Sequence, residues 1–313
     1  MPIVQATKEN ISKATMFLKQ GGVIAFPTET VYGLGCNTLN TEAVSLAYTT
    51  KKRPTNNPLI AHVSNSSQAK KITTGWDSQC DDLAKQFWPG PLTLILNKHK
   101  RVPKEACGGG ETIAVRSPDH PVAQQLLQTF DGSISAPSAN ISGYVSPTTA
   151  QHVLDDFGDT LFILDGGTSS GGIESTVLSL LGEPKIVRLG SIPIEQIRGI
   201  VPNVTYTRAC KQTDSPGTSS KHYATKTPLL LVQEKDLHTT SSKKSAHIMI
   251  HNPKIDSLCS IILPCNPVEY AKKLYASMRK LDSLNPEKIY VELPPTSSEW
   301  DAIHDRLQRA AFT

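Results

Sequence analysis

The apolar positions of this chain follow two periods that alternate along its length. In TKENISKATMFLKQGG, Ile11, Ala14 and Leu18 recur at helical spacing, and Gly21-Gly22 stops the run. The next stretch, VIAFPTET, reads as a buried strand. Further strands are predicted at LIAHVS, LTLILN, TIAVRS, LFILDGG, STVLSL and KIVRLG, and helices at AVSLAYTTKK and PVAQQLLQTF. The pattern breaks at Pro202. The 26 residues that follow, NVTYTRACKQTDSPGTSSKHYATKTP, are polar and turn-forming, the composition of a linker or a functional lid. Beyond them come strand-like LLLVQE, AHIMIH, SIILP and KIYVEL and two amphipathic helices. Ala271, Leu274, Tyr275, Met278 and Leu281 share a face of the first; Trp300, Ile303, Leu307 and Ala311 share a face of the second. The expected organisation is a mixed α/β domain over 1–202, a linker or lid over 203–227, and a small α/β domain over 228–313.

Composition narrows the chemistry. A chain of 313 residues is long enough for two cores. The net charge of +4 fits an anionic ligand in a pocket better than a duplex footprint, which needs denser Lys/Arg clustering. Six cysteines (Cys36, Cys80, Cys107, Cys210, Cys259, Cys265) form no CxxC pair, and no signal peptide is recognisable, so reduced thiols in a cytoplasmic protein are expected. No apolar run approaches the roughly 20 residues that cross a bilayer, so no membrane association is expected.

Four stretches carry candidate chemistry. In KKRPTNNPLIAHVS, Lys51 and Arg53 close a helix, where cations suit the macrodipole and a solvated helix end is the plain reading. A phosphate clamp is the functional one, since Asn56-Asn57-Pro58 fixes a turn and His62 is the one strongly polar side chain of the strand that follows. SAPSANISGYVSPTTA gathers Ser135, Ser138, Asn140, Ser142 and Ser146 around Gly143 and Pro147, a turn able to form an anion-binding nest, although many such turns do nothing. LDGGTSSGGIESTV sets four glycines around Thr168 and ends in Glu174-Ser175-Thr176, without the form of a P-loop. ETIAVRSP places Thr112, Ala114 and Arg116 on one strand face, and an arginine at a strand end suits a carboxylate or a phosphate. No GxSxG, HExxH or repeated Cys/His spacing supports a nucleophilic hydrolase or a zinc enzyme.

The order of these stretches says more than any one of them. FPTETVYGLG, KKRPTNNPL, FWPGPLTLIL, IAVRSPDHP, APSANISG and GIESTV together resemble the YrdC-like threonylcarbamoyl-AMP synthase family, over residues 1 to about 202. The tail is similar to the extra domain of that family's long form, through SPGTSSKHYATKTP, YAKKLYASMRKLD and DRLQRAA. It departs at Thr218, Ser219 and Ser220, where the family linker usually carries Met, Lys and Tyr. The resemblance implies a YrdC-like twisted mixed sheet with flanking helices enclosing a cleft, plus a smaller Rossmann-like α/β domain. It implies an enzyme that joins L-threonine, bicarbonate or carbon dioxide, and ATP into threonylcarbamoyl-adenylate and pyrophosphate, a nucleotidyltransferase serving the threonylcarbamoyladenosine modification of tRNA.

It also implies site residues: Lys51 and Arg53 as catalytic cations; Arg53, Asn57, Thr112, Ser138, Ser146, Arg188, His222 and Tyr223 on ATP; Thr30, His62, Arg116, Ala136 (through backbone) and Ser175 on threonine. Mg2+ is expected with the phosphates, with no protein ligand assigned, and a downstream tRNA threonylcarbamoyl transferase is the expected partner. Two other classes compete. An RNA-binding YrdC-like module without catalysis would show aromatic and basic residues interleaved, and here Arg and Lys are interspersed with acids. A carbamoyl-transferring relative would carry acylphosphatase and zinc-finger segments, which this sequence does not show.

Overall fold

The protein is described as a computed structural model over residues 3–206 and 222–311. The middle of the expected lid, with Ser215-Pro216-Gly217, Thr218, Ser219 and Ser220, lies outside the described residues, as does Cys210.

Two sheets organise the described chain. The larger has twelve strands, eleven of them in one path: Ile3–Gln5, Phe162–Asp165, Ile24–Phe26, Gly33–Asn37, Ile134–Ala136, Ile60–His62, Thr112–Arg116, Leu92–Lys98, Thr176–Ser179, Lys185–Arg188 and Thr205–Tyr206, with Thr73–Thr74 beside Leu92–Lys98. Parallel and antiparallel pairs mix along it, giving the mixed sheet with flanking helices that the resemblance implies. Ile24–Phe26, Ile60–His62 and Ile134–Ala136 are buried throughout, so the polar side chains of His62 and Ser135 are buried with their apolar neighbours.

Helices cover both faces. The helix Lys8–Lys19 starts at Thr7, whose hydroxyl accepts from the Asn10 amide, and buries Ile11, Ala14 and Leu18 against Ala123, Leu126 and Leu127 of Pro121–Phe130. Each fully buried Leu or Ile contributes about 1.5–3 kcal/mol, so Ile11 and Leu18 supply most of the apolar burial that docks this helix. Helix Thr41–Lys51 buries Ala43, Val44, Ala47 and Tyr48, and Ser78–Phe87 buries Leu83 and Phe87, in a second cluster.

The smaller sheet is parallel, in the order Leu229–Val232, Lys288–Glu292, Ser242–Met249, Ser257–Ile262, with helices Pro267–Ser283 and Asp301–Ala310. The two lobes share one apolar cluster, in which Leu274, Tyr275 and Met278 join Ile173, Leu189 and Tyr223. At Gly172, which has φ +75°, an added Cβ would stand 2.3 Å from the Ala271 carbonyl oxygen, so only glycine admits this approach of loop to helix. Arg279 ties the same helix to the large lobe through Asp156, at 2.6 Å, and the carbonyls of Val145 and His152.

Some expectations shift. VIAFPTET yields only Ile24–Phe26, because Thr28 then accepts from the Thr30 and Val31 amides and turns the chain. The strand Gly33–Asn37 and the helices Ser78–Phe87 and Ala150–Phe157 had no sequence expectation. In GLGCN two glycines dilute the strand signal.

Candidate active site

Three central strands bring the first group together. Ile60–His62 and Thr112–Arg116 run parallel with His62 opposite Arg116, and Ile134–Ala136 runs antiparallel with Ala136 opposite Ile60. His62 and Arg116 thus reach one end of the sheet side by side, where the turn after Phe26 supplies Thr30. Arg116 donates from Nη1 to Thr30 Oγ1 at 2.8 Å, and Thr30 shares a second hydrogen bond with Thr28 at 2.9 Å. Glu29 lies 3.7 Å from Arg116 Nη2. The buried Arg116 Nε and His62 Nδ1 have no partner among the described residues. Burial, then the neighbouring Arg116, hold the His62 imidazole neutral, with its pKa lowered to about 3.

The Lys-Lys-Arg cluster divides three ways. Lys51 ends its helix and is 1% exposed. Its Nζ donates to the carbonyls of Ser138 and Asn140, both at 2.7 Å, and to Asn140 Oδ1 at 3.1 Å, with Ser138 Oγ at 3.3 Å. Lys52 takes a left-handed conformation (φ 54°) and faces solvent. That reversal swings Arg53 back inward, where Nε donates to the Asn57 carbonyl and Nη2 to Asn57 Oδ1 and the Pro58 carbonyl. The solvated helix end therefore holds for Lys52 alone. Burial lowers the Arg53 pKa to about 10, still a cation at neutral pH.

The third group comes from GIESTV, the strand Lys185–Arg188 and the small lobe. Arg188 donates from Nε and Nη2 to the Ser175 carbonyl and from Nη2 to Ser175 Oγ at 3.0 Å, while Ser175 Oγ lies 2.7 Å from Thr93 Oγ1. Glu174 accepts from Ser146 Oγ at 2.7 Å on one oxygen, and from Tyr275 Oη at 3.0 Å and Arg306 Nε at 2.9 Å on the other. Burial alone would raise its pKa; Arg306 and Arg188 outweigh that and bring it down to about 2. His222 and Tyr223 close the cleft, their rings edge to face at 4.2 Å, and the buried His222 Nδ1 and Tyr223 Oη have no partner among the described residues.

All five residues expected on threonine (Thr30, His62, Arg116, Ala136, Ser175) line one cleft. So do Arg53, Ser138, Arg188, His222 and Tyr223 of those expected on ATP. Lys51, Asn57 and Ser146 stand behind the wall, each bonded to a residue that lines it. Thr112 begins the strand that Arg116 ends, about 13 Å away at strand rise, and is not on the cleft wall. The sequence reading missed Glu174 as a wall residue, and with it Tyr275 and Arg306, because nothing local marks contacts made across more than a hundred residues.

Three buried guanidinium groups and two neutral imidazoles around a narrow cleft suit a ligand bearing several negative charges. Among the described residues no carboxylate or imidazole bonds a lining serine hydroxyl: that of Ser175 meets Thr93 and Arg188, and that of Ser138 meets Lys51, whose Nζ donates to three other oxygens. The arrangement holds and orients anions; it does not build a protein nucleophile. A separate cluster of Glu234, His251 and Glu292 lies in the small lobe, where Glu292 accepts from the His251 ring and from the Ile250 and His251 amides.

Comparison with known proteins agrees with this architecture. Residues 16–190 match the Sua5/YciO/YrdC family, described as telomere recombination, and residues 192–312 match the family described as threonylcarbamoyl-AMP synthase, C-terminal domain. A curated relative from Pyrococcus abyssi named threonylcarbamoyl-AMP synthase is 34% identical, covering 99% of this chain and 98% of its own. One of the same name from Bacillus subtilis is 36% identical, covering 96% and 92%. The crystal structure of the Pyrococcus abyssi protein complexed with L-threonine matches with a TM-score of 0.90 at 34% identity, over 96% of this chain and 94% of that one.

Proposed function

The chain belongs to the Sua5/YciO/YrdC family in its two-domain threonylcarbamoyl-AMP synthase form, and from that premise we propose that it converts L-threonine, bicarbonate or carbon dioxide, and ATP into threonylcarbamoyl-adenylate and pyrophosphate. The observation that carries the reading is the pairing, in one cleft, of an arginine with a free buried Nε beside a neutral histidine and two further buried arginines.

In this reading Arg116 takes the threonine carboxylate, with Thr30, Ser175, His62 and the Ala136 backbone around the rest of the amino acid. The unprotonated amine adds to carbon dioxide and loses a proton, giving a carbamate. The carbamate oxygen attacks the α-phosphorus and pyrophosphate leaves. Because the attacking oxygen is already anionic, the protein's part is to hold two anions together and offset the charge that develops on phosphorus. Arg53 and Arg188 do this, with His222, Tyr223 and Ser138 along the nucleotide; Lys51 and Asn57 act through the groups they brace, and Thr112 and Ser146 bind only if the nucleotide extends past the present wall.

Magnesium enters with the nucleotide as MgATP. The wall carboxylate Glu174 has both oxygens engaged by Ser146, Tyr275 and Arg306, which favours a metal held by phosphates. The product is a mixed anhydride of a carbamate, and a tRNA-modifying transferase is the partner class that consumes it.

The test is pyrophosphate release from MgATP, measured with threonine and bicarbonate together and with each omitted. Release that needs both supports the reading. No release, together with RNA binding that survives moderate salt, would replace it with the non-catalytic module.

A further inference from the structure

The cleft wall contains one carboxylate among the described residues, Glu174, and it faces a site proposed to receive a triphosphate. A bare buried carboxylate there would repel the ligand and oppose Arg53 and Arg188. Its charge is offset from the other lobe. Arg306, on the helix Asp301–Ala310 and 1% exposed, binds Glu174 Oε2 through Nε at 2.9 Å, Asp305 through Nη1 at 2.6 Å and the Leu189 carbonyl through Nη2 at 2.7 Å. Its guanidinium carbon also stands 5.1 Å from the centroid of the Tyr223 ring. Tyr275 adds a hydrogen bond to the same Glu174 oxygen and stacks on Tyr223, with centroids 5.6 Å apart and planes 20° from parallel. One arginine and one tyrosine of the small lobe thus touch both the acidic wall residue and the aromatic ring that closes the cleft.

We propose that Arg306 is a positioning residue through which the small lobe makes the cleft competent for ATP: it neutralises Glu174, so that Arg53 and Arg188 act on the phosphates unopposed, and with Tyr275 it seats Tyr223. This rests on the adenylate-forming reading above. It gives the small lobe a part in the chemistry although none of its described residues lines the cleft wall. Local sequence does not disclose it, since the partners are 132 residues apart.

Titration of Glu174 separates an electrostatic role from a merely structural one. The groups around it are Arg306, Tyr275, Arg188, Tyr223, His222, Arg116, Lys51 and the Ser146 hydroxyl. Without Arg306 the largest charge that lowers the Glu174 pKa is gone, so the carboxyl gains proton affinity. Protonation then removes the repulsion, so the defect shrinks as pH falls.

The experiment is calorimetric titration of MgATP into the full-length chain, with turnover measured alongside. Arg306→Met is expected to raise the Kd for MgATP roughly tenfold or more, with the Kd for threonine within about twofold of wild type. The ratio of variant to wild-type Kd should fall as the pH is lowered. The double variant Glu174→Gln/Arg306→Met removes both charges and keeps an acceptor for Ser146; it should bind MgATP within about threefold of wild type. Equal losses for both ligands, a ratio that does not change with pH, or a folded double variant still tenfold weak would each overturn the proposal. If Arg306→Met does not fold, the double variant alone decides. Wild-type protein that binds MgATP without threonine-dependent turnover would defeat the proposed reaction and leave the Arg306 coupling to be judged by binding.

Discussion

Arg116 holds the Thr30 hydroxyl through Nη1 at 2.8 Å while its Nε, buried at the same depth, has no partner among the described residues. A buried guanidinium is costly to leave partly unmet, and a carboxylate approaching from the cleft would complete it. Two neighbours of this arginine can be read from that relationship: the neutral His62 avoids a second positive charge, and Thr30 fixes the plane of the fork.

The amino acid pocket should discriminate by its hydroxyl contacts. Serine, which lacks only a methyl, is expected to lose about 10- to 200-fold in kcat/KM, and valine, which lacks the hydroxyl, roughly 10⁴-fold. Competition assays with the three amino acids check this; valine used as well as serine would mean an apolar pocket and would remove Thr30 and Ser175 from it.

Arg53 and its neighbour Lys52 should behave as opposites. Arg53→Ala removes a preorganised cation from the cleft and is expected to cost about 3–4 kcal/mol of transition-state stabilisation, a hundredfold or more in pyrophosphate release. Lys52→Ala, at an exposed left-handed position, should change the rate less than twofold, roughly the scale of a surface substitution. Equal activities would end the clamp assignment.

Lys51 should matter for folding before it matters for rate. Lys51→Met strands the carbonyls of Ser138 and Asn140 and the Asn140 amide oxygen, a loss of about 3 kcal/mol. Thermal unfolding should begin roughly 5–10 °C lower. An unchanged Tm with abolished turnover would return Lys51 to the chemistry.

Tyr223→Phe keeps the stack on Tyr275 and the contact with Arg306, and deletes a buried hydroxyl that has no partner among the described residues. Stability should hold or rise by up to about 1 kcal/mol, because an unmet polar group is removed. MgATP affinity should fall about fivefold or more if the hydroxyl meets the phosphates. Calorimetry and thermal unfolding of one sample give both numbers.

Acid should destabilise the protein. The pKa values of His62 and His222 are lowered to about 3 and that of His152 to about 4, chiefly by burial, against about 6.5 in an unfolded chain. Below about pH 6.5 the unfolded chain takes up protons that the folded one refuses, so stability falls with pH by at most about 1.4 kcal/mol per unit for each histidine. The stability from Glu174 is full above its unfolded value and is lost as pH falls toward about 2, which acts in the same direction. Tm should therefore drop between pH 7 and pH 5, and by less in His62→Asn. Equal drops in both proteins would show that His62 is not held neutral.

How much was legible follows from where each signal sits. The buried helix faces of Lys8–Lys19 and Pro267–Ser283 were readable because the contacts that define them repeat every turn. The strand of His62 and that of Arg116 were each readable, yet their pairing was not, since register is a property of two strands. Helix Ser78–Phe87 was legible as well, since Cys80, Leu83, Ala84 and Phe87 stand at i, i+3, i+4 and i+7, the spacing of one buried helix face, and the sequence reading passed over so short a run.

The sequence by itself determined much of the local grammar of this protein: the buried faces of helices Lys8–Lys19 and Pro267–Ser283, the strands of His62 and Arg116, and the short motifs that carry arginine, histidine and hydroxyl groups. Tertiary structure alone decided their use. It buried Lys51 beneath a turn while leaving Lys52 in water, and it brought Glu174, Tyr275 and Arg306 together around the ring of Tyr223. The physical reason is range: propensity and period act over a few residues, whereas charge neutralisation and ring stacking depend on distances that only the folded chain sets.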